Sequence, residues 1–386
     1  MSISRVAVVG AGTMGSGIAQ KVAAEGLPVV LVDSSPELAD EGKGRVEKLL
    51  VEGLERGVFA GPDIDAILGR VTPTANLDDV ADVDLIIEAI FEDRDAKREL
   101  FGKLAGICKA GAIIATNTSS YLVSDFADSV KEAKYLVGMH YFFHPAKNRL
   151  VEVIGHTDTD PGVLRRAWTF QERIGKTPIA SADAPGFVVN RYFVPWLNEA
   201  VRLHEEGHSI ATIEAAGKEA FGAGMGPFEL MNVTGIPIAL HAAGALAERL
   251  GGFYSPAERL AEQVDKGELW TVKGKPDAKV SEEIGARLWG AVLHPVLELL
   301  SEEVAGAADV DIGVRVGLRW PVGPCEKMAA IGGKAAAQLA KDVGERYRAA
   351  TPSALKDLAA GGDLPEVERV RLTVRDGVAT LLINRP

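Results

Sequence analysis

Cysteine is almost missing from this chain: 386 residues carry only Cys108 and Cys325, far apart and outside any CxxC or Cys/His cluster. That excludes a disulfide framework and a structural zinc site, and it suits a reducing compartment. Positive charge is also in deficit. Against 54 acidic residues stand 42 basic ones, a net charge of −12. Such a balance excludes a general binder of nucleic-acid backbones, so an anionic ligand must be met locally, by backbone amides or a few placed cations. Long apolar runs are lacking as well, and none is long enough to span a bilayer. The opening MSISRVAVVG enters an apolar strand within a few residues, which leaves no room for a signal peptide. The expectation is a cytoplasmic protein with no membrane partner.

What is present is ample apolar content, 47% of residues against 25% charged, enough for large cores in two or three domains. Up to about residue 182, short β-rich runs alternate with helical patterns: RVAVVG (5–10), PVVLVD (28–33), DLIIEAI (84–90), AIIATN (112–117), YLVGMHYF (135–142), LVEVIG (150–155) and TPIASA (177–182). Alternation of this kind implies crossover connections and a mostly parallel sheet covered by helices on both faces. After Pro185 strand signals vanish and helical periodicity takes over to about residue 350. This region repeats itself. RYFVPWLNEAVRLHEEG leads to MGPFELMNVTG, and RLWGAVLHPVLELLSEEV leads to WPVGPCEKMAAIGG; from Arg191 or Arg287 to the proline of the GP pair is 36 residues in one copy and 37 in the other. A duplicated helical unit can bury, within one chain, a face that a single copy would bury by dimerising. The expected oligomeric state is a monomer, or a homodimer built on other surfaces. The closing VERVRLTVRDGVATLLINRP reads as strand, RDG turn and strand. The expected domains are 1–182, 183–280, 281–360 as a degenerate second helical copy, and 361–386 as a linker and hairpin.

The first strand runs directly into GAGTMGSGIAQKVAAEG, which sets Gly10, Gly12 and Gly15 in a G-x-G-x-x-G frame opening a helix. The first glycine permits the tight turn, the second lets a pyrophosphate approach the backbone, and the third lets helix and strand pack closely. Thr13 and Met14 lie in the same turn. The second strand ends in Asp33, 23 residues after Gly10, where a carboxylate accepts hydrogen bonds from the adenosine ribose hydroxyls and repels a 2′-phosphate. The expectation is therefore a Rossmann-type domain holding NAD rather than NADP. Ligands of open parallel sheets collect beyond the carboxyl ends of the strands, which places Glu92, Lys97, Asn117 and Ser119 in range. For Glu92 and Lys97 a solvated helix start is the alternative. For the Asn117-Thr118-Ser119-Ser120 run the alternative is an ordinary helix N-cap.

Oxidising an alcohol by hydride transfer needs a base near neutral pH, and histidine with a carboxylate to orient its ring suits that task. His140 lies at the end of YLVGMHYF and Glu152 on the next strand, so neighbouring strands can bring the two together. With these residues in view, the sequence resembles the L-3-hydroxyacyl-CoA dehydrogenases. VGAGTMGSGIA, EAIFED, ATNTSS, GMHYFF, LVEV, DAPGFVVNR and MGPFEL follow that family's order and approximate spacing over residues 5–235. The resemblance implies an α/β NAD-binding domain followed by a duplicated all-helical domain, and an acyl-CoA thioester as substrate. It implies His140 as catalytic base, Glu152 twelve residues on as its partner, and Ser119 and Asn190 as polar groups around the substrate's 3-oxygen.

The chain also departs from the family. H-Y-F-F-H-P replaces the usual H-F-F-N-P, adding a residue and placing His144 where the family has asparagine; His144 is read as a loop or cofactor-side residue. A GKGFY-like segment is replaced by GELWTVKGKPD, and the second copy has Ala286 where the first has Asn190. The aromatic residues after His140 are read as strand packing. The tail LTVRDGVATLLINRP resembles the first hairpin of the enoyl-CoA hydratase (crotonase) family, which implies a hydratase domain fused on the C-terminal side. Two rivals stay open: a dehydrogenase of the same fold acting on a non-CoA hydroxy acid, and a non-catalytic NAD-binding protein.

Overall fold

The computed structural model describes residues 3–367, 370–375 and 378–383. The chain divides into two compact units, Met1–Asp183 and Ala184–Pro386. In the first, strands β1 (Val6–Val9), β2 (Val29–Val32), β3 (Val71–Thr74), β4 (Leu85–Glu88), β5 (Ile113–Thr116), β6 (Leu136–Tyr141), β7 (Leu150–Gly155) and β8 (Thr177–Ala182) form one sheet in the order β3-β2-β1-β4-β5-β6-β7-β8. Neighbours are parallel except β6 and β7. Helices α1 (Thr13–Ala24), α2 (Pro36–Glu55), α3 (Gly61–Leu68), α4 (Arg94–Ile107) and α5 (Pro161–Arg173) make the connections. The central strands are buried on both faces and read as continuous apolar runs, VAVV and LIIE, because helices cover both sides. The strand β3, VTPT, was not among the expected strands. It lies at the edge, where Pro73 can be accommodated, and its polar residues hide it from an apolar-run reading.

The chain order reverses at β1, which has β2 on one side and β4 on the other. A crevice beyond the carboxyl ends of these strands is the standard ligand position of an open α/β sheet. Both the glycine turn after β1 and the residues following β4, β5 and β6 lie at that end.

The second unit contains α6 (Val189–Glu205), α7 (Ile210–Phe221), α8 (Pro227–Thr234), α9 (Ile236–Leu250), α10 (Glu258–Lys266), α11 (Ser281–Ser301), α12 (Ala307–Ile312), α13 (Pro324–Ile331), α14 (Gly333–Arg346) and α15 (Ser353–Ala359). Its core is strongly aromatic. Phe221 of α7 stacks on Trp289 of α11 at 4.1 Å, and Trp196 of α6 meets Trp320 edge-on at 5.0 Å, contacts that add to plain area burial. Local contacts recur at a fixed offset of 97 residues. Glu214 accepts the backbone N–H groups of Gly226, Phe228 and Glu229, and Asp311 accepts those of Cys325 and Glu326. Lys218 pairs with Glu229, and Arg315 with Glu326. Gly222 and Arg319 both adopt the left-handed conformation that ends a helical stretch. Among the described residues no single helix is long and apolar enough to cross a membrane. At the C-terminal side β9 (Val370–Arg375) and β10 (Val378–Ile383) pair antiparallel; Asp376 and Gly377 of the expected turn lie outside the described residues.

Candidate functional site

The antiparallel pairing of β6 and β7 sets His140 directly opposite Glu152. Residues facing one another across such a pair share a face of the sheet, and here His140 Nδ1 stands 2.5 Å from Glu152 Oε2. Both are buried, Glu152 completely. A carboxylate on Nδ1 fixes the ring's orientation and turns Nε2 into the atom that exchanges protons. The Phe142 ring lies 4.6 Å from the imidazole.

Next to this pair the chain after β5 is strapped down. Asn117 donates its N–H to Glu88 O and accepts the Tyr141 N–H on its side-chain oxygen, at 2.9 Å each, so it bridges the ends of β4 and β6 one residue from His140. Thr118 Oγ1 and the backbone N–H groups of Ser119 and Ser120 all donate to Glu92 Oε1, at 2.5, 2.9 and 3.0 Å. Ser119 itself is exposed, its hydroxyl 3.4 Å from that of Ser120. The run is thus a turn wrapped on a carboxylate, and no regular helix begins at it; the short helical stretch that follows starts at Val123. Glu92 is in turn paired through Oε2 with Lys97 Nζ at 3.1 Å, and Lys97 also reaches Glu88 Oε1 at 2.6 Å.

The solvated-helix alternative for Lys97 is therefore overturned: the side chain is buried between two carboxylates. Glu88 receives the Thr116 hydroxyl as well. Burial raises the Glu88 carboxyl above its usual range despite Lys97. Burial acts on Glu92 in the same direction, but the Lys97 charge and the bonds from Thr118 and Ser119 outweigh it and hold Glu92 low.

At the other end of the crevice the glycines have distinct reasons. Gly10 sits at φ +102°, and a Cβ there would lie 2.4 Å from Ala89 O. At Gly15 a Cβ would fall on Gly10 O, whereas at Gly12 it would meet nothing within 4 Å. Turn, open approach and close helix contact thus fall to Gly10, Gly12 and Gly15 in that order, and the N–H groups of Thr13 and Met14 begin α1 next to the open side. Asp33 closes the turn, accepting Ala11 N–H at 2.7 Å. These residues fit a dinucleotide: an uncluttered backbone for its phosphates and a carboxylate at the end of β2 for its ribose.

The two histidines of the β6–β7 region separate. The Glu152 carboxylate goes to His140; His144 Nδ1 accepts Ala146 N–H, and its ring lies against α1, 3.0 Å from where a Cβ of Gly17 would stand. Burial lowers its pKa, helped by Lys147 and Lys176. Phe143 is more than half exposed, so it is not the strand packing expected of it, while Tyr141 is buried with its hydroxyl on Gln171. Asn190 stands in the first turn of α6, within the second unit. The sequence reading passed over Glu88, Thr116 and Lys176. A charged residue ending the apolar run LIIE was the available signal for the first.

A reversed-order parallel sheet with a glycine turn, an acidic end to β2 and a buried His–Glu pair defines the class of NAD-dependent dehydrogenases. The particular family follows from comparison: the chain belongs to the 3-hydroxyacyl-CoA dehydrogenases, residues 5–184 matching the family's NAD binding domain and residues 186–278 its C-terminal domain. A probable 3-hydroxybutyryl-CoA dehydrogenase of Deinococcus radiodurans is 37% identical over 270 residues, 69% of this chain and 97% of that protein. The fatty acid oxidation complex subunit alpha of Colwellia psychrerythraea is 30% identical over 83% of this chain, which spans about half (49%) of that relative's length. Among solved structures, (S)-3-hydroxybutyryl-CoA dehydrogenase PaaH1 from Ralstonia eutropha superposes with a TM-score of 0.66 at 33% identity, over 71% of this chain and 98% of that one. The 3-hydroxybutyryl-CoA dehydrogenase from Escherichia coli shares the fold over 93% of this chain and 99% of its own, with a TM-score of 0.84 at 23% identity.

Proposed function

We propose that this protein oxidises L-3-hydroxyacyl-CoA to 3-oxoacyl-CoA with NAD, reversibly, in β-oxidation or a related acyl-CoA pathway of the cytoplasm. The observation that carries the reading is the buried His140–Glu152 pair in register across β6 and β7. His140 takes the 3-hydroxyl proton on Nε2 while Glu152 holds Nδ1 and stabilises the imidazolium that forms. Bound NAD supplies the hydride acceptor. Ser119 holds the 3-oxygen, a role the family resemblance also gives Asn190, and Asn117 sits on the nicotinamide side. Gly10, Gly12, Thr13, Met14 and Gly15 receive the pyrophosphate, with Asp33 on the adenosine ribose. Glu92 and Lys97 belong to this site through the Ser119 turn they support.

The proposal extends to domain organisation. We read residues 183–280 and 281–360 as two copies of one helical unit, the second without the polar group of Asn190. The β9–β10 hairpin is read as the start of a crotonase-like unit that partners this dehydrogenase and makes its substrate by hydrating a 2-enoyl-CoA.

Initial rates of NADH formation across 3-hydroxyacyl-CoA chain lengths test the reading, with free 3-hydroxybutyrate and NADP as controls. Turnover of the thioester with NAD is expected, and preference for the free acid overturns the substrate. His140→Ala should lower kcat on the order of 10²–10⁴-fold while NAD still binds; an unchanged kcat removes His140 as the base.

A further inference from the structure

The turn between His140 and Glu152 is held by a residue to which no role has yet been given. Lys176 immediately precedes β8 and is 5% exposed. Its Nζ donates to Pro145 O and, at 2.7 Å, to Asn148 O, and lies 5.5 Å from the centre of the Tyr141 ring. Among the described residues no carboxylate pairs with it. A buried lysine without a counter-ion is costly, and what offsets the cost here is hydrogen bonding, which its amine makes in either protonation state. Both of its acceptors are backbone carbonyls of one turn, residues 143–148, so the group held is that turn.

The far side of the turn meets the dinucleotide half of the unit. His144 and Pro145 rest on Gly17 of α1, 3.0 and 3.2 Å from where a Cβ would stand, and Lys147 pairs with Glu52 of α2 at 2.8 Å. The turn is therefore fixed between the strand that carries His140 and the helix whose N-terminus carries the glycine motif. Its own backbone bonds are few: Lys147 and Asn148 N–H both go to His144 O. Asn148 adds side-chain bonds to Phe143 O and from Leu150 N–H, and Lys176 Nζ joins the carbonyls of Pro145 and Asn148 to the start of β8, which gives the spacing between base and cofactor a stop. Misplacement by about 1 Å can cost about 10²-fold in rate.

We propose that Lys176 is a positioning residue of this dehydrogenase: its side-chain nitrogen pins the 143–148 turn and so sets His140 relative to the NAD-bearing helix α1. The inference rests on the reading of His140 as base and of α1 as the phosphate end of the NAD site. The test uses the intact chain with Lys176→Met and Lys176→Arg, reading kcat, the two KM values, NADH binding by fluorescence and the thermal midpoint. In Lys176→Met, kcat falls at least 10-fold and NADH binds severalfold more weakly. The KM for 3-hydroxybutyryl-CoA stays within twofold, the thermal midpoint does not drop, and Lys176→Arg recovers part of kcat.

Gly17→Ala presses on the same turn from the opposite side and gives the same split with Lys176 intact, which keeps the test open should Lys176→Met not fold. If the wild type turns over and both variants stay within twofold of it, the positioning role is wrong. If activity falls only in step with the thermal midpoint and arginine gives no rescue, the role is structural alone. A wild type that makes no NADH from any 3-hydroxyacyl-CoA instead removes the function on which the inference rests.

Discussion

Lys97 carries its charge into the interior, held by two carboxylates. FEDRDAKREL reads as a polar helix start, yet the lysine is sealed between Glu88 and Glu92. The partner that buries it is nine positions back, at the end of an apolar strand, and strand-to-helix proximity is not written in the helix's own composition. Replacing Lys97 by Met leaves two carboxylates inside without a cation. The expected loss is about 3–5 kcal/mol in urea unfolding at neutral pH, with much of it recovered by adding Glu88→Gln. The His140–Glu152 pair was legible as two residues on neighbouring strands, while the antiparallel register that sets them face to face was not. Lys176 was not, because nothing in GKTPIASA marks which carbonyls its side chain will reach. Burial pushes that lysine down to about 7 from an ordinary 10.5. Between those values the unfolded chain keeps a proton the folded chain has released, so stability rises with pH across the window and the penalty is full below it. The difference in urea midpoint between wild type and Lys176→Met should follow that course from pH 6.5 to 10; a flat difference shows that the group titrates elsewhere.

At the level of elements, the strands announced themselves where both faces are buried. VAVV is apolar throughout, and LIIE and IIAT are apolar up to the Glu88 and Thr116 that end them, because helices lie on either side. The edge strand VTPT carries no such run, and only tertiary pairing to β2 makes it a strand. The arginine-to-proline spacing is what the sequence offers for the helical repeat we propose, and the contacts that recur with it are carboxylates aimed at helix starts. Glu214 caps α8 and Asp311 caps α13. Burial raises the Asp311 carboxyl to about 6, although the Cys325 and Glu326 N–H groups pull the other way. Between 3.8 and about 6 the folded chain therefore keeps a proton the unfolded chain has lost, and stability falls as pH rises through that window. Asp311→Asn should flatten this segment of the wild-type curve. An unchanged slope in urea midpoints between pH 4 and 7 shows that Asp311 is ionised throughout.

For the molecule as a whole, the two helical copies we propose would meet in a reciprocal way inside the second unit. Arg191 pairs with Glu302, at 2.7 Å, and Arg287 pairs with Glu206; Arg191 and Arg287 stand 96 positions apart, as do Glu206 and Glu302. Exchange of the same pair in both directions is the signature of a two-fold interface, here made by one chain with itself. The Deinococcus relative is matched over 97% of its length by 69% of this chain. The face of α6 that a single copy would present to its twin is covered here by α11, and Arg191 is almost wholly buried there. The intact chain is accordingly expected to sediment as a monomer across micromolar concentrations. Glu302→Arg, which sets two guanidinium groups against each other, should lower the unfolding midpoint of the second unit. Exchanging the charges, Arg191→Glu with Glu302→Arg, should restore part of it, which separates the loss of the pair from a general effect of substitution. A dimer in the wild type would mean that association uses a different surface, and a double variant no more stable than the single one would mean that the pair does not couple the two copies.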